Sequence, residues 1–166
     1  NTSTMRKKTI RKEIVQVTGI AHKGTAVGRT AEGLVVFVDH AIPGDQVEVS
    51  LTKKRKGVWQ GKTESILVES PHRVEPICSH FGICGGCSWQ HLNYLEQLNQ
   101  KQTVVYDALT RIAKIDQALF EPILGASQTE FYRNKLEFTF SSSRWLTALE
   151  LNTDLTETDK RALGFH

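Results

Sequence analysis

Gln46-Val47-Glu48-Val49-Ser50-Leu51-Thr52 alternates apolar and polar residues at a period of two. Successive side chains of a strand point to opposite faces, so Val47, Val49 and Leu51 share one face while Glu48 and Ser50 share the other. The stretch predicts a half-buried strand, and its surroundings repeat the theme. Upstream, Leu34-Val-Val-Phe-Val38 is the most apolar run of the chain, and the turn signal Ala41-Ile-Pro-Gly-Asp45 separates it from the alternating stretch. A shorter strand over 25–29 lies between turns at His22-Lys-Gly24 and Ala31-Glu-Gly33. Before it, Ile14, Val15, Val17 and Ile20 are β-branched residues suited to a first strand. Downstream, Lys53-Lys-Arg-Lys-Gly57 reads as a basic hairpin tip, and 58–68 as the returning strand with Trp59, Ile66 and Val68 as anchors. Five short strands punctuated by turns suit a small Greek-key barrel of the OB type over residues 6–70. Phe37 and Trp59, the aromatic residues of this half, are read as core before base-stacking groups.

The second half differs in kind. Residues 1–73 hold 13 Lys and Arg against 7 Asp and Glu, whereas 74–166 hold 8 against 11, so a net charge of +3 hides a basic half and an acidic one. A basic barrel suggests a polyanionic partner such as RNA, with Lys53, Lys54, Arg55 and Lys56 as the point where a phosphate backbone would pass. The plainer reading of that run is a solvated turn kept unpaired by charge. At 39% hydrophobic and 23% charged, the chain is globular rather than disordered. No apolar run approaches the roughly 18–20 residues of a membrane span, and the polar, basic start is unlike a signal sequence. The expectation is a cytoplasmic protein with no membrane partner.

Between the halves, Ser70-Pro-His-Arg-Val-Glu-Pro76 reads as a linker, and residues 71–166 as a second region. It opens on Cys78-Ser-His-Phe-Gly-Ile-Cys84-Gly-Gly-Cys87-Ser-Trp-Gln-His91, which gathers all three cysteines of the chain in a C-x5-C-x2-C spacing. Packing cysteines scatter, whereas three so close in a reducing compartment point to a metal. Zinc and [4Fe–4S] sites both take four soft ligands. Cys78, Cys84 and Cys87 supply three, and His91 is one choice for the fourth, which would make a Cys3His zinc site. Gly85 and Gly86 let the backbone turn sharply and offer N–H groups to sulfur.

A helix follows, from about Tyr94 to Ala113, with Asn93 as its N-cap. Leu95, Leu98, Val105, Leu109 and Ile112 make one apolar stripe with Gln102 in its polar slot, read as core packing. Further on, 131–141 alternates, placing Leu136, Phe138 and Phe140 opposite Arg133, Lys135 and Glu137. Strands over 145–151 and 162–165, with a polar loop at 152–160, would complete an antiparallel sheet. Arg133 and Lys135 would lie on its solvent face, able to meet RNA or simply wet. The fold class is thus mainly β with one long helix (α+β). No Rossmann fingerprint and no nucleophile–base arrangement stands out.

The run from Ser70 to Lys101, cysteines included, resembles the N-terminal half of the bacterial TRAM-containing RNA (uracil-5-)-methyltransferases that act on 23S ribosomal RNA. The barrel is similar to their OB-like TRAM domain, and Phe131-Tyr-Arg-Asn-Lys-Leu-Glu-Phe138 to the start of their central sheet. The resemblance implies that Cys78, Cys84 and Cys87 are ligands of a [4Fe–4S] cluster whose fourth cysteine lies beyond His166. It implies a parent enzyme, monomeric, whose further Rossmann-like domain binds S-adenosylmethionine and supplies the catalytic cysteine and carboxylate. None of these groups is in this chain, which should bind RNA but be inactive alone. The alternative is a free-standing zinc-binding (Cys3His) RNA-binding module without catalytic activity.

Overall fold

The computed structural model describes residues 11–21, 24–116, 119–143, 146, 150 and 161–165. Five strands form a closed barrel: β1 (Arg11–Ile20), β2 (Ala26–Thr30), β3 (Val35–Val38), β4 (Gln46–Arg55) and β5 (Val58–Val68). The order around the barrel is β1-β2-β3-β5-β4, closing through β4 on β1. All neighbours are antiparallel except β3 and β5. This is the Greek-key OB arrangement that the strand spacing predicts. The apolar residues of the alternating stretch face inward as their period requires, although Ser50 between them is buried as well. Val47 and Val49 are fully buried and join Val15, Val17, Val36 and Val38 in the core, with Ala26, Ala41 and Leu51 at its margins. Each such valine contributes roughly 1.5–3 kcal/mol of burial. Trp59 and Ile66 pack against this cluster from β5, as expected.

Closure brings one backbone very near another. A Cβ on Gly28 of β2 would lie 2.4 Å from the Gln16 carbonyl oxygen and 2.6 Å from Val15 Cγ1. The position admits only glycine because its antiparallel partner β1 bends close against it, beside the irregularity between Val17 and Gly19.

Ser70–Pro76 is more than a linker. Asp45, with no exposed surface, accepts from the Ile42 N–H (2.8 Å) and the Ser70 N–H (2.9 Å) and pairs with the Arg73 guanidinium. The turn after β3 and the segment after β5 are thereby pinned together. Beyond the clamp, Val74 N–H donates to the His91 carbonyl (3.1 Å), Asn93 N–H donates to the His72 carbonyl (3.0 Å), and Arg73 pairs with Leu92 as an isolated antiparallel bridge. The prolines restrict the chain, but the backbone amides around Arg73 are paired like a short ladder.

α1 (Tyr94–Asp107) begins at Asn93, whose side chain accepts from the Glu96 N–H at 2.9 Å, the cap read from sequence. It ends in one wider π turn, Ala108–Ile112, so the helical stretch as a whole runs nearly to Ala113. The stripe expected to be core is not: Leu95, Val105 and Ile112 are exposed, and α1 has no fully buried residue. Its real contact is with a returning segment. Gln102 Nε2 donates to the Glu121 carbonyl (3.2 Å), its Oε1 accepts from Ile123 N–H (3.3 Å), Tyr106 tilts against Phe120, and Leu98 and Tyr94 approach Gly125. The polar slot of the stripe is therefore the hinge of the packing: one amide satisfies two backbone groups that no strand partner reaches.

The described residues fall into two compact units, drawn from 1–75 with 91–125 and from 76–90 with 126–166. Barrel and helix thus share the first unit. In the second, β6 (Phe138–Ser141) pairs antiparallel with β7 (Ala162–Phe165). The strand expected over 131–141 forms only at its end; Phe131 takes a left-handed φ of 54°, which interrupts extended backbone. The polar loop expected at 152–160 and nearly all of the strand expected at 145–151 lie outside the described residues.

Candidate nucleic-acid interface and cysteine loop

β4 and β5 extend past the barrel as a hairpin, and strand pairing continues to Arg55 opposite Val58. Only Lys56 and Gly57 form the turn, with φ of 49° and 85°. Two left-handed residues in succession make the type I′ turn whose twist suits a two-residue hairpin, and glycine takes the second place without strain. The four cations are all exposed but not equivalent. Lys54 Nζ lies 5.7 Å from the centre of the Trp59 ring, a cation–π contact that covers the outer end of the core. Arg55 and Lys56 occupy the tip. The register shift between Leu51 and Lys53 sets Lys53 opposite Gln60, turning it onto the outer surface of the barrel. A single run of charge in the sequence becomes a short basic ridge with one member committed to an aromatic ring.

Arg133 and Lys135 are exposed, and both precede β6 rather than lying on it. Lys135 pairs with Glu137 at 2.8 Å, a surface contact worth little. Leu136, Phe138 and Phe140 are exposed as well, so the expected contrast of a buried and a wet face is absent among the described residues.

The cysteine segment is a string of tight turns. Phe81 N–H donates to the Cys78 carbonyl (3.0 Å), Cys84 N–H to the His80 carbonyl (2.9 Å), and Gly82 takes a φ of 83°. Two sulfurs already accept hydrogen bonds: Cys84 Sγ from the Gly86 N–H (3.4 Å) and Cys87 Sγ from Gln90 Nε2 (3.1 Å). Gln90 Oε1 accepts in turn from the Cys78 N–H at 3.2 Å, so one side chain ties the first cysteine to the last. Cys84 and Cys87 are exposed and Cys78 half-buried, all as free thiols. Donors aimed at sulfur are what a thiolate-bound centre uses to tune its charge. Among the described residues, however, no three His, Cys, Asp or Glu side chains are gathered closely enough to hold a metal ion. The donors fit a soft metal centre in kind, and fall short of a complete ligand set in number and placement.

His91 occupies a different environment. Its ring is almost fully buried, in the electrostatic reach of Arg73, Asp45, His40 and the Ala41 carbonyl. Burial, aided by the Arg73 guanidinium, lowers its pKa to about 4, so the ring is neutral at physiological pH. The sequence offers His91 as one choice for a fourth metal ligand and does not mark Asp45 or Arg73 as a pair. Asp45 looks like an ordinary turn residue after Pro43-Gly44, and nothing local marks it as the buried partner of an arginine 28 positions on.

A family model for the TRAM domain matches residues 6–63, which span most of the barrel. Residues 6–63 are thus a TRAM domain, and the closed five-stranded barrel that holds them has the OB-like form of that domain. Over nearly its whole length it is also similar to curated proteins that carry the name uncharacterized RNA methyltransferase. One from Porphyromonas gingivalis is 44% identical over 155 residues, covering 92% of this chain and 33% of the relative. One from Bacteroides thetaiotaomicron is 44% identical over 147 residues (89% and 32%), and one from Chlorobaculum tepidum 38% identical over 152 residues (90% and 32%). The chain spans about a third of the length of the curated relatives it matches. Among the described residues, no helix is long and apolar enough to cross a membrane.

Proposed function

We propose that this chain is the RNA-binding portion of an S-adenosylmethionine-dependent RNA methyltransferase that forms 5-methyluridine in ribosomal RNA. The observation that carries the reading is the basic β4–β5 hairpin projecting from a TRAM barrel, in a chain homologous to proteins named RNA methyltransferase. The barrel and its ridge of Lys53, Arg55 and Lys56 hold the RNA through phosphates, with Arg133 and Lys135 as a second basic patch. Methyl transfer belongs to residues outside these 166, and this chain contributes binding and orientation. Cys78, Cys84 and Cys87 are three ligands of a [4Fe–4S] cluster whose fourth ligand also lies outside this chain. Those three cysteines would hold the cluster, with the Gly86 N–H and the Gln90 amide placed to donate to the Cys84 and Cys87 sulfurs and so moderate their charge.

Two experiments test this. Replacing Lys53, Lys54, Arg55 and Lys56 by Ser should weaken RNA binding and flatten its salt dependence by about 0.7 in log–log slope for each phosphate that is no longer neutralised. An unchanged slope would make the ridge a merely solvated turn. For the cluster, anaerobically purified full-length protein should contain iron and sulfide, and Cys84→Ser should lose both. Stoichiometric zinc without iron would overturn the cluster reading.

A further inference from the structure

Among the described residues, Phe37 is the one aromatic side chain of the barrel that the core does not use. Its neighbours Val36 and Val38 are buried inside, so Phe37 faces outward, half-exposed, on β3. It lies over a depression of about 300 Å³ lined by Ala21, Thr25, Phe37, Asp39, Gln60 and Gly61. That is the small end of the range for ligand sites, room for one planar base rather than a folded helix. The strand register gives the depression its order. Phe37 stands beside Gln60 of β5, and Gln60 beside Lys53 of β4, so an aromatic ring, an amide and a cation form one row across the outer face. Adjacent strands are about 4.8 Å apart, which puts the cation two strands, about 10 Å, from the ring. Gly61 adds only backbone to the depression, because a Cβ there would meet Val36 and Val49 inside the barrel. Asp39 at the rim is fixed by the Thr63 N–H, which donates to its Oδ1 at 2.7 Å.

We propose that this depression holds a single unpaired nucleobase bearing an amino group, stacked on Phe37, with its amino edge at Asp39 and its phosphate at Lys53. The inference rests on the RNA-binding reading above and adds a base preference to it. Aromatic platforms beside a basic groove are how OB barrels take single strands, and stacking by itself accepts any base. The carboxylate supplies the discrimination. It accepts N–H groups and repels carbonyl oxygens, so it favours the amino-bearing edges of adenine, cytosine and guanine over uracil, whose N3–H donor is flanked on both sides by carbonyl oxygens. The depression is therefore a reader of flanking sequence rather than a seat for a target uridine.

Fluorescence anisotropy of the full chain with labelled A8, C8 and U8 oligoribonucleotides at one fixed, low salt concentration tests the proposal. A8 and C8 should bind about tenfold tighter than U8. Phe37→Leu keeps the apolar bulk but removes the ring face, and should weaken A8 binding by about tenfold. Asp39→Asn keeps the carbonyl that accepts from Thr63 while adding a donor, and should erase or reverse the preference against U8. Thermal melting of both variants confirms the barrel is intact. Equal affinity for all three oligomers, or wild-type affinity in Phe37→Leu, overturns the pocket while leaving salt-dependent RNA binding standing. No binding to any oligomer at low salt overturns both the pocket and the RNA-binding reading.

Discussion

Removing the Asp45 carboxylate tests what fastens the segment after β5 to the barrel. Asp45 is wholly buried, takes hydrogen bonds from the Ile42 and Ser70 amides, and pairs with Arg73, whose side chain is 17% exposed. Asp45→Ala orphans two backbone donors and one guanidinium at once. Breaking a buried ion pair by deleting one partner costs about 3–5 kcal/mol, of which each stranded amide accounts for about 1–3. Arg73 retains a path to water, which places the expected loss near the lower end, about 3 kcal/mol. Arg73→Ala should cost less, about 2 kcal/mol, because the carboxylate keeps both amide donors. With a urea m-value of about 2 kcal/mol/M, Asp45→Ala should lower the unfolding midpoint by about 1.5 M and Arg73→Ala by about 1 M. The double variant should fall short of the sum of the two, since the pair acts as one unit. Circular dichroism in urea follows the barrel, and limited proteolysis between 70 and 76 follows the clamp. A midpoint shift for Asp45→Ala below about 0.3 M, or strictly additive losses, would refute the clamp.

Three further outcomes are expected. His91 has a folded pKa of about 4 against 6.5 when unfolded, so the unfolded state binds more protons between those values. Stability is therefore full above about pH 6.5 and is lost as pH falls toward 4, by roughly 3 kcal/mol in all. His91→Gln should flatten that slope in urea titrations run across the interval, and an unchanged slope would exclude His91 as its source. Gly28→Ala should cost more than about 2 kcal/mol, because its methyl group meets the Gln16 carbonyl; a melting temperature within a degree or two of wild type would contradict the close approach of β1 to β2. Gln102→Ala should free residues 119–125 from α1, seen as faster amide exchange at Ile123 with the barrel unaffected, and equal exchange in both proteins would remove the amide bridge from the packing.

The barrel was largely legible in the sequence because its signals are local. Alternation at 46–52 names which apolar residues face inward, and Pro43-Gly44-Asp45 and the 53–57 run say roughly where the chain turns, although strand pairing goes on to Arg55 and leaves only Lys56 and Gly57 in the turn. Asn93 could be recognised as a cap for the same reason, since capping acts over three residues. The cysteine spacing is likewise a local fact, visible without any coordinates. The stripe on α1 shows the limit of such reading. Helical periodicity established that Leu95, Leu98, Val105, Leu109 and Ile112 share a side, yet what covers a side is a matter of the rest of the fold. Here Gln102 and the residues around it took the contact, and Leu95 and Ile112 were left bare.

Sequence by itself determined the barrel strands, most of the turns, the helix start, the uneven charge and the clustering of Cys78, Cys84 and Cys87, all set by residues within a few positions of one another. Only tertiary structure decided the strand order with its parallel β3–β5 pair and the pairing of Asp45 with Arg73. It also decided the burial of His91 and the row of Phe37, Gln60 and Lys53 on one outer face. The reason is physical. Backbone preference and side-chain period are carried by neighbours along the chain, whereas burial, charge pairing and cross-strand register arise when closure of the barrel brings together segments that no local rule connects.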